Sequence, residues 1–588
     1  MRLFFTFFLF VLTTSTFSQS TYLNFSGQVR DRQTNEPVGF VKVHSKATGR
    51  TIITNVNGEF EFYEISATDT VIFSCVGYER KYLIIENLSE IPEPVYLKQK
   101  ENMLNNVEIF ASDQPYLAKI LASVKKKTTK KVIPSKVYYE LKSFHDDQQI
   151  ELLQGFYNAD IKGYDIQDLS YKIGRVGLQY FNERIFVSLQ TSLSIVLMEM
   201  LEVSNLFPNQ PLQYGKSKIM KKFDLKLVDK YAEESDTMFV ISFKPRVSEK
   251  SNFYGKIWVT EVGNRVSKVE FNIEDASKHP FIPIFPDDTI HSVDLNITRT
   301  FEDVNNQQFW DKTYFNYAIN YQSREGEPFS IFAEAVLYAY ESENQYYIPD
   351  FQFPEVVHDY RKISAFPYND FFWNEVAKNQ VILDDGEQEA YYNDSLTLTM
   401  DEVFFNKKLK HNKFYYSPYV PWTGKRVLWR DLSQEQEENN NGISYRSTIS
   451  TVHTYSKEYN LEVQLYFDIV DSADGMVQVS SATIFDPFYS YMNLEITPKE
   501  LCFINIFFDL VEVERRKMMV KINQSDRKKE TVLAIYAAAK EKIEENSKDY
   551  FGEVFHGHNE EKMKRWNAKV SEELGIDNIN IFEPYTKE

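Results

Sequence analysis

Tyr254-Gly255-Lys256-Ile257-Trp258-Val259-Thr260-Glu261-Val262-Gly263-Asn264-Arg265-Val266-Ser267-Lys268-Val269-Glu270-Phe271-Asn272-Ile273 reads as two strands folded about a turn. Apolar and polar side chains alternate on either side of Gly263-Asn264, a pair that accepts the positive φ of a tight hairpin. Outward from this hairpin the alternation recurs at 136–144 (KVYYELKSF), 151–161 (ELLQGFYNADI), 223–231 (FDLKLVDKY) and 237–245 (TMFVISFKP). It resumes at 294–304 (DLNITRTFEDV), 312–322 (KTYFNYAINYQ) and 329–340 (FSIFAEAVLYAY). A period of two sustained over such lengths means strands with one buried and one polar face. One amphipathic helix interrupts near Ser192 to Leu201, with Leu193, Val196, Leu197, Met200 and Leu201 as its stripe. Long strands wrapping a helix predict an open, curved antiparallel sheet over residues 135–345.

Upstream, residues 20–98 consist of short strands between turns. Thr34-Asn35-Glu36-Pro37 and the TGR at Gly49 are turn signals, and Gly58 suits a tight turn entering the next strand. The set Gly27-x-Val29-x-Asp31, Pro37-Val38-x-x-Val41-x-Val43, Thr54-x-x-x-Gly58-x-Phe60 and Val76-Gly77-Tyr78 resembles the carboxypeptidase regulatory-like domain. That resemblance implies a transthyretin-like seven-stranded sandwich that folds or docks and performs no peptidase chemistry. His44 stands alone in a strand and reads as an ordinary half-buried histidine. Residues 99–134 form a connector. It holds a strand at Leu104 to Ile109, of a kind found after this module in secreted Bacteroidetes proteins. A helix then runs from Tyr116 to Lys131 until Pro134 stops it. In the long sheet, Tyr254 to Val259 with its hairpin resembles half-barrel lipoprotein-carrier domains. This would imply an apolar concavity for a lipid or a partner's strand; the alternative is a sheet simply packed on its helix.

The N-terminus places the chain. Arg2, an apolar run from Leu3 to Leu12 and small or polar residues to Ser18 and Gln19 have the layout of a secretory signal peptide, residues 1–18. About ten apolar residues are too few to span a bilayer, and no later run approaches the roughly 18 that a spanning helix needs. The 588 residues suggest three or four domains, and the 15% aromatic share favours sheet. A net charge of −19 disfavours nucleic acid as a partner. The lysines from Lys125 to Lys131 read as a solvated helix end, and Cys75 and Cys502, in separate apolar contexts, as buried free thiols. No Cys/His cluster suggests zinc.

Residues 346–393 read as a linker lying along the sheet, with Phe371, Phe372 and Trp373 as anchors and an acidic patch at 384–387. Residues 394–588 form an α+β domain. It opens on Arg426-Val427-Leu428-Trp429-Arg430-Asp431-Leu432 and has strands at 442–450 and 460–470. Helices follow from Pro498 to Val520 and from Arg527 to Asn546, then the stretch Tyr550 to Asn559 and Trp566. This order resembles a bacterial family of secreted zinc-dependent proteases. That family has an Arg-x-Leu-x-Trp-x-Asp-Phe element, a helix reading His-Glu-x-x-His-Phe-Asp-x-x-Glu with a trailing Arg, and a closing Tyr-Asp-x-x-Thr-x-His-Gly. Phe508, Asp509, Glu512 and Arg516 fall on the helix pattern, and Trp429, Tyr550, His556, Gly557 and Trp566 on its flanks. Where the family has two zinc-binding histidines and a general base, this chain has Phe503, Phe507 and Ile504. A phenyl ring donates no lone pair to zinc and isoleucine accepts no proton, so ligands and base are missing together. His556 and His558, alternating on a segment read as extended, could meet Glu512 or Asp509 only if the helix supplied a third ligand.

The chain therefore reads as a β-rich, multidomain exported protein of the periplasm or outer envelope. Its expected layout is a sandwich, a curved sheet with one helix and an α+β domain, without catalytic residue, metal or cofactor. Its expected role is binding or scaffolding for a protein, a peptide or an envelope lipid. The alternative is a zinc-dependent peptidase-like hydrolase with displaced ligands. A membrane barrel is disfavoured by the charged, helical end.

Overall fold

The computed structural model describes residues 22–585 apart from 67, 86–93, 102–113, 128, 147, 179–188, 234–235, 248–249, 284–286, 325, 352, 354–361, 364, 367, 381–418, 424–425, 429–430, 433–458 and 473–474. The signal peptide, the strand at 104–109, the acidic patch at 384–387, Trp429 and the strand at 442–450 lie outside the described residues. The chain divides into two compact units, residues 1–100 and 101–588.

Among its described residues the first unit has seven strands: β1 (Tyr22–Asp31), β2 (Lys42–Ser45), β3 (Thr51–Ile53), β4 (Glu59–Ser66), β5 (Thr70–Ser74), β6 (Lys81–Ile84) and β7 (Val95–Leu97). They form two sheets, ordered β4-β1-β7 and β3-β2-β5-β6, around one core that includes Phe25, Phe60, Phe62 and Phe73. The motif residues owe their identities to close contacts. The Asp31 carboxylate accepts hydrogen bonds from the backbone N–H of Gln33 (2.7 Å) and Thr34 (2.9 Å), the Tyr78 hydroxyl (3.0 Å) and the Gln99 amide (2.5 Å). Burial, with Asp31 alongside, pushes the Tyr78 hydroxyl up to about 12. The Thr54 hydroxyl accepts from the Val41 N–H at 3.0 Å. Gly58 has φ +75°, and a Cβ there would stand 2.4 Å from the Val29 carbonyl oxygen. Gly58→Ala is expected to lower the stability of this unit by about 2 kcal/mol, read as an earlier thermal transition of the full chain; an unchanged transition would refute the steric reading.

The second unit is built on a ten-stranded antiparallel sheet. Its strands are β8 (Ile133–His145), β9 (Gln148–Lys162), β10 (Asp165–Leu178), β11 (Phe223–Glu233), β12 (Asp236–Pro245), β13 (Tyr254–Thr260), β14 (Val266–Ile273), β15 (Thr289–Val304), β16 (Gln307–Gln322) and β17 (Phe329–Ser342). The order is β10-β9-β8-β17-β16-β15-β14-β13-β12-β11, so β8 closes against β17 and both edges belong to interior stretches of the sequence. Asn264, at φ 53°, makes the turn between β13 and β14.

Among the described residues, the inner face of this sheet carries α1 (Gln114–Ser123), the helix expected in the connector, α2 (Leu189–Val196), the helix expected within the sheet domain, and α3 (Lys216–Lys222), which was not expected. Leu117 and Leu121 of α1, Ile195 and Val196 of α2 and Ile219 of α3 share one core with the inward residues of the strands. The inner face is thus packed on its helices. Two helix ends differ from expectation. α1 stops at Ser123, passing into a 3-10 turn at Val124–Lys127, and Pro134 lies inside β8 instead of ending the helix. α2 ends at Val196, five residues short of Leu201, because Arg299 of β15 takes its terminal carbonyls. The guanidinium donates to the oxygens of Ile195 (2.8 Å), Val196 (2.8 Å) and Met198 (2.6 Å). Positive charge at a helix C-terminus is favourable, and burial lowers the Arg299 pKa to about 10.

The outer face near β8, β9 and β10 is covered by the chain after β17. Phe372 and Trp373 are buried, with ring centroids 4.9 and 5.6 Å from Phe156. Arg175 lies 4.2 Å over the Trp373 ring. Beyond this segment come β18 (Val420–Pro421), β19 (Tyr459–Asn460), β20 (Val463–Asp471), β21 (Val477–Phe485) and β22 (Tyr491–Met492). Four helices follow: α4 (Pro498–Gln524), α5 (Lys529–Val554), α6 (Glu560–Leu574) and α7 (Asn578–Phe582). α4 begins at a capping box. The Thr497 hydroxyl accepts from the Lys499 N–H at 3.2 Å, and the Glu500 carboxylate from the Thr497 N–H at 3.1 Å. Among the described residues, no helix is long and apolar enough to cross a membrane.

Candidate functional site

α4 is the helix on which protease chemistry would have to sit. Phe503, Ile504 and Phe507 are all buried in the core of this region. The Phe503 ring stacks on Tyr550 at 5.3 Å and 17°, and Phe507 meets Phe551 at 4.7 Å. The Tyr550 hydroxyl donates to the Phe503 carbonyl at 2.8 Å, and the Trp566 ring stands edge-on to Tyr550 at 5.7 Å. Tyr550 and His556 thus pack on Phe503, and Trp566 on Tyr550.

The polar residues of the same helix are committed to internal partners. Asp509, fully buried, accepts from the Trp422 indole N–H (2.7 Å), the Arg426 Nη1 (2.8 Å) and the Asn578 amide (2.6 Å). Asn505 binds the neighbouring backbone, accepting from the Val427 N–H at 2.8 Å and donating to its carbonyl at 2.9 Å. The opening segment at 426–427 is thereby stapled along α4. Glu512 is buried and accepts from Arg515 Nε (2.7 Å), Arg515 Nη2 (2.8 Å), Arg516 Nε (2.9 Å) and the Thr483 hydroxyl (3.0 Å). Both of its oxygens are used, and Arg516 also lies 4.9 Å from the Trp422 ring.

His556 and His558 do not sit on an extended segment, which corrects the sequence expectation. α5 runs eight residues past Asn546 to Val554, and the chain turns through Phe555 (φ 49°), His556 (φ 56°) and Gly557 (φ 91°). His558 closes this turn by donating its N–H to the Phe555 carbonyl at 2.9 Å, so its side chain is exposed while His556 is half-buried. The His556 ring packs against Tyr459 at 4.4 Å and Phe503 at 6.1 Å. Glu512 is nine residues beyond Phe503, about 13 Å along the helix, and Asp509 about 9 Å. Metal donors must converge within about 2–2.5 Å of one ion, so these four residues do not make a site together. No group of three or more His, Cys, Asp or Glu side chains among the described residues is arranged to hold a metal ion. Cys502 is a free, buried thiol, pushed up to about 12 by burial and the charges of Asp577 and Asp509; Cys75 is free and half-buried.

Two buried charge sites were not visible in the sequence. Lys172 of β10 and Asp468 of β20 form an ion pair with both side chains wholly shielded from solvent. The Lys172 ammonium also donates to the carbonyls of Tyr347 (2.8 Å) and Ile469 (3.1 Å). Burial pulls both partners toward neutrality, lowering the lysine and raising the carboxyl, and each opposes that pull on the other. The second site is Asp486, buried beyond the end of β21. It accepts from the Phe488 N–H (2.9 Å) and the Gln464 amide (2.5 Å) and lies beside buried Glu462. Burial and the Glu462 charge push it up to about 7.

Residues 25–109 match the family of CarboxypepD_reg-like domains, the stretch whose motif residues meet at Asp31 and Gly58. No curated protein matches the chain. Among solved structures, the chain is similar to a LolA superfamily protein from Nitrosomonas europaea, at 11% identity over 41% of this chain and 97% of that one, with a TM-score of 0.16. It is similar to a DUF1329 family protein from Desulfovibrio piger, at 9% identity over 46% and 98%, with a TM-score of 0.16. A chain of the MucA/MucB complex of Pseudomonas aeruginosa is similar at 9% identity over 39% and 94%, with a TM-score of 0.15.

Proposed function

We propose that the chain is an exported, non-catalytic binding or scaffolding protein of the cell envelope. On this reading its C-terminal domain is a protease-like fold whose metal-binding helix has become core. The observation that carries the reading is α4. Its positions 503, 504 and 507 are buried side chains without metal-binding or proton-accepting atoms, and Asp509 and Glu512 are spent on internal ion pairs. A catalytic zinc site needs three protein ligands and an open position, and rebuilding one here would first require dismantling that core. The N-terminal sandwich supports a docking role, because its buried polar residues, Asp31 among them, serve its own turns. The signal-like start supports export into the envelope, where the partner would be a protein, a peptide or a lipid.

The test is elemental analysis of the protein purified from zinc-supplemented cells, with casein hydrolysis assayed alongside. Substoichiometric zinc and no chelator-sensitive hydrolysis are expected. One zinc per chain with chelator-sensitive cleavage would overturn the reading in favour of a hydrolase.

A further inference from the structure

The charge of −19 is unevenly spread. Residues 216–230, GKSKIMKKFDLKLVDK without its first glycine, carry six lysines and two aspartates. The structure gives them a common location: α3 supplies Lys216, Lys218, Lys221 and Lys222, and β11, an edge strand of the ten-stranded sheet, supplies Lys226 and Lys230. Ile219 of α3 is buried in the core, which leaves Lys216, Lys218 and Lys221 exposed around it.

The register extends this charge across the outer face. Lys226 lies opposite Ser242, and Ser242 opposite Lys256, so exposed Lys226 and Lys256 occupy one row of β11, β12 and β13. Lys244 is two residues along β12 from Ser242 and is exposed; Lys268 of β14 lies opposite Trp258 with its ammonium 4.7 Å from the ring. Arg246 joins the helix to the strands. It donates from Nε to the Met220 carbonyl at 2.8 Å, and its backbone N–H donates to the Lys222 carbonyl at 2.9 Å. The carboxylates of this area are Asp224, which Arg246 holds at 2.9 Å, Glu270, held by Lys268 at 2.7 Å, Asp229, and Glu274 beside Tyr254. They are outnumbered by the lysines. Between the lysines lie apolar and aromatic side chains, with Val228 at 40% exposure, Tyr254 at 37%, and Trp258 partly buried on a small cluster of Tyr231, Met238 and Val240.

We propose that this edge of the sheet docks on an anionic phospholipid surface. Lys226, Lys244 and Lys256 on the outer face of β11, β12 and β13, with Tyr254 and Trp258 between them, fit a plane of phosphate headgroups better than a single phosphate, and the lysines of α3, which packs on the inner face, border that plane at the sheet edge. Lysines near such a surface are attracted to it, and Tyr and Trp favour the membrane interface. The proposal rests on the reading of the chain as an exported protein that meets lipid. Its test is independent of the zinc and hydrolysis assays, so either can fail alone.

The experiment is co-sedimentation of the full chain with vesicles of neutral phosphatidylcholine, or of the same lipid with about one third phosphatidylglycerol. Wild type is expected to bind the anionic vesicles at least about tenfold more tightly than the neutral ones at low salt, and to lose that binding in high salt. The variant K216Q/K218Q/K226Q/K256Q, all at exposed positions, is expected to bind at least about tenfold more weakly with an unchanged thermal transition. A second variant, with glutamines at Lys125, Lys126, Lys130 and Lys131, removes as many charges elsewhere and is expected to bind as wild type does. Equal binding to neutral vesicles, equal losses in the two variants, or tighter binding to soluble polyglutamate than to anionic vesicles would each overturn the proposal.

Discussion

Lys172→Met is expected to lower the unfolding free energy of the second unit by about 3–5 kcal/mol, the usual cost of stranding one member of a buried ion pair. The substitution leaves Asp468 without its cation and the carbonyls of Tyr347 and Ile469 without their donor, all inside protein. Asp468→Leu on the wild-type background should cost a comparable amount, because it strands the ammonium. Lys172→Met with Asp468→Leu should recover most of the Coulombic loss but not the part due to the two carbonyls. Denaturant unfolding of all four chains gives the coupling directly. If either single variant lost less than about 1 kcal/mol, the pair would be no more than a surface contact. The pair also joins β10 to β20, and the Lys172 ammonium holds the Tyr347 carbonyl, so Lys172→Met should also become easier to cleave next to Tyr347.

The second large effect concerns pH. The Asp486 carboxyl titrates near 7 in the folded chain against an ordinary 3.8, raised by burial and then by the Glu462 charge. Between those values the folded state keeps a proton that the unfolded chain has lost. Stability from this group therefore falls as pH rises from about 4 to about 7 and is level above that, a change on the order of 4 kcal/mol. Asp486→Asn removes the titration while keeping an oxygen for the Phe488 N–H. The variant should match wild type at pH 5 and exceed it in thermal stability at pH 8. A difference that stays constant across this range would show that its carboxyl is already ionised at acid pH.

The strands were legible wherever one side of the sheet is buried and the other is not. The Gly263-Asn264 hairpin and the alternations flanking it appear as β11 to β17. β10 was not legible, because Gly174 and Gly177 break its pattern; at Gly174 a Cβ would meet the Gln154 carbonyl oxygen at 2.9 Å and Ile363 at 3.1 Å. α2 was drawn too long because Met200 and Leu201 keep helical spacing and remain buried after Arg299 has taken the last carbonyls. α5 was drawn too short because Tyr550 to Val554 was read as motif and not as helix. In the candidate site, the absence of metal-binding or proton-accepting atoms at 503, 504 and 507 is plain from residue type alone. The pairing of Arg426 with Asp509 is not, although both positions were noted, because 83 residues separate them and no periodicity links them. Lys172 is harder still. In the sequence it is one lysine in a strand, and only a carboxylate 296 residues away makes it a buried charge. The lysines at 216–230 were countable from the start, but their position on an edge strand and its outer face depended on the fold.

The strand order also sets the sequence of events by which the sheet comes together. β11 to β17 form a meander in which each strand pairs with its predecessor, and β8 to β10 form another. The seam between the two is the β8–β17 ladder, which sets Ser135 beside Ser342 and Phe144 beside Phe332. Closing a loop on the order of two hundred residues costs about 3 kcal/mol more than closing a hairpin. The two meanders can form from near neighbours while the seam waits for both, and a chain threaded outward from its N-terminus delivers β8 long before its partner. Until β17 arrives, β8 is a thirteen-residue strand with one ladder unfilled, a transient adhesive edge that a newly made chain must shield from its neighbours.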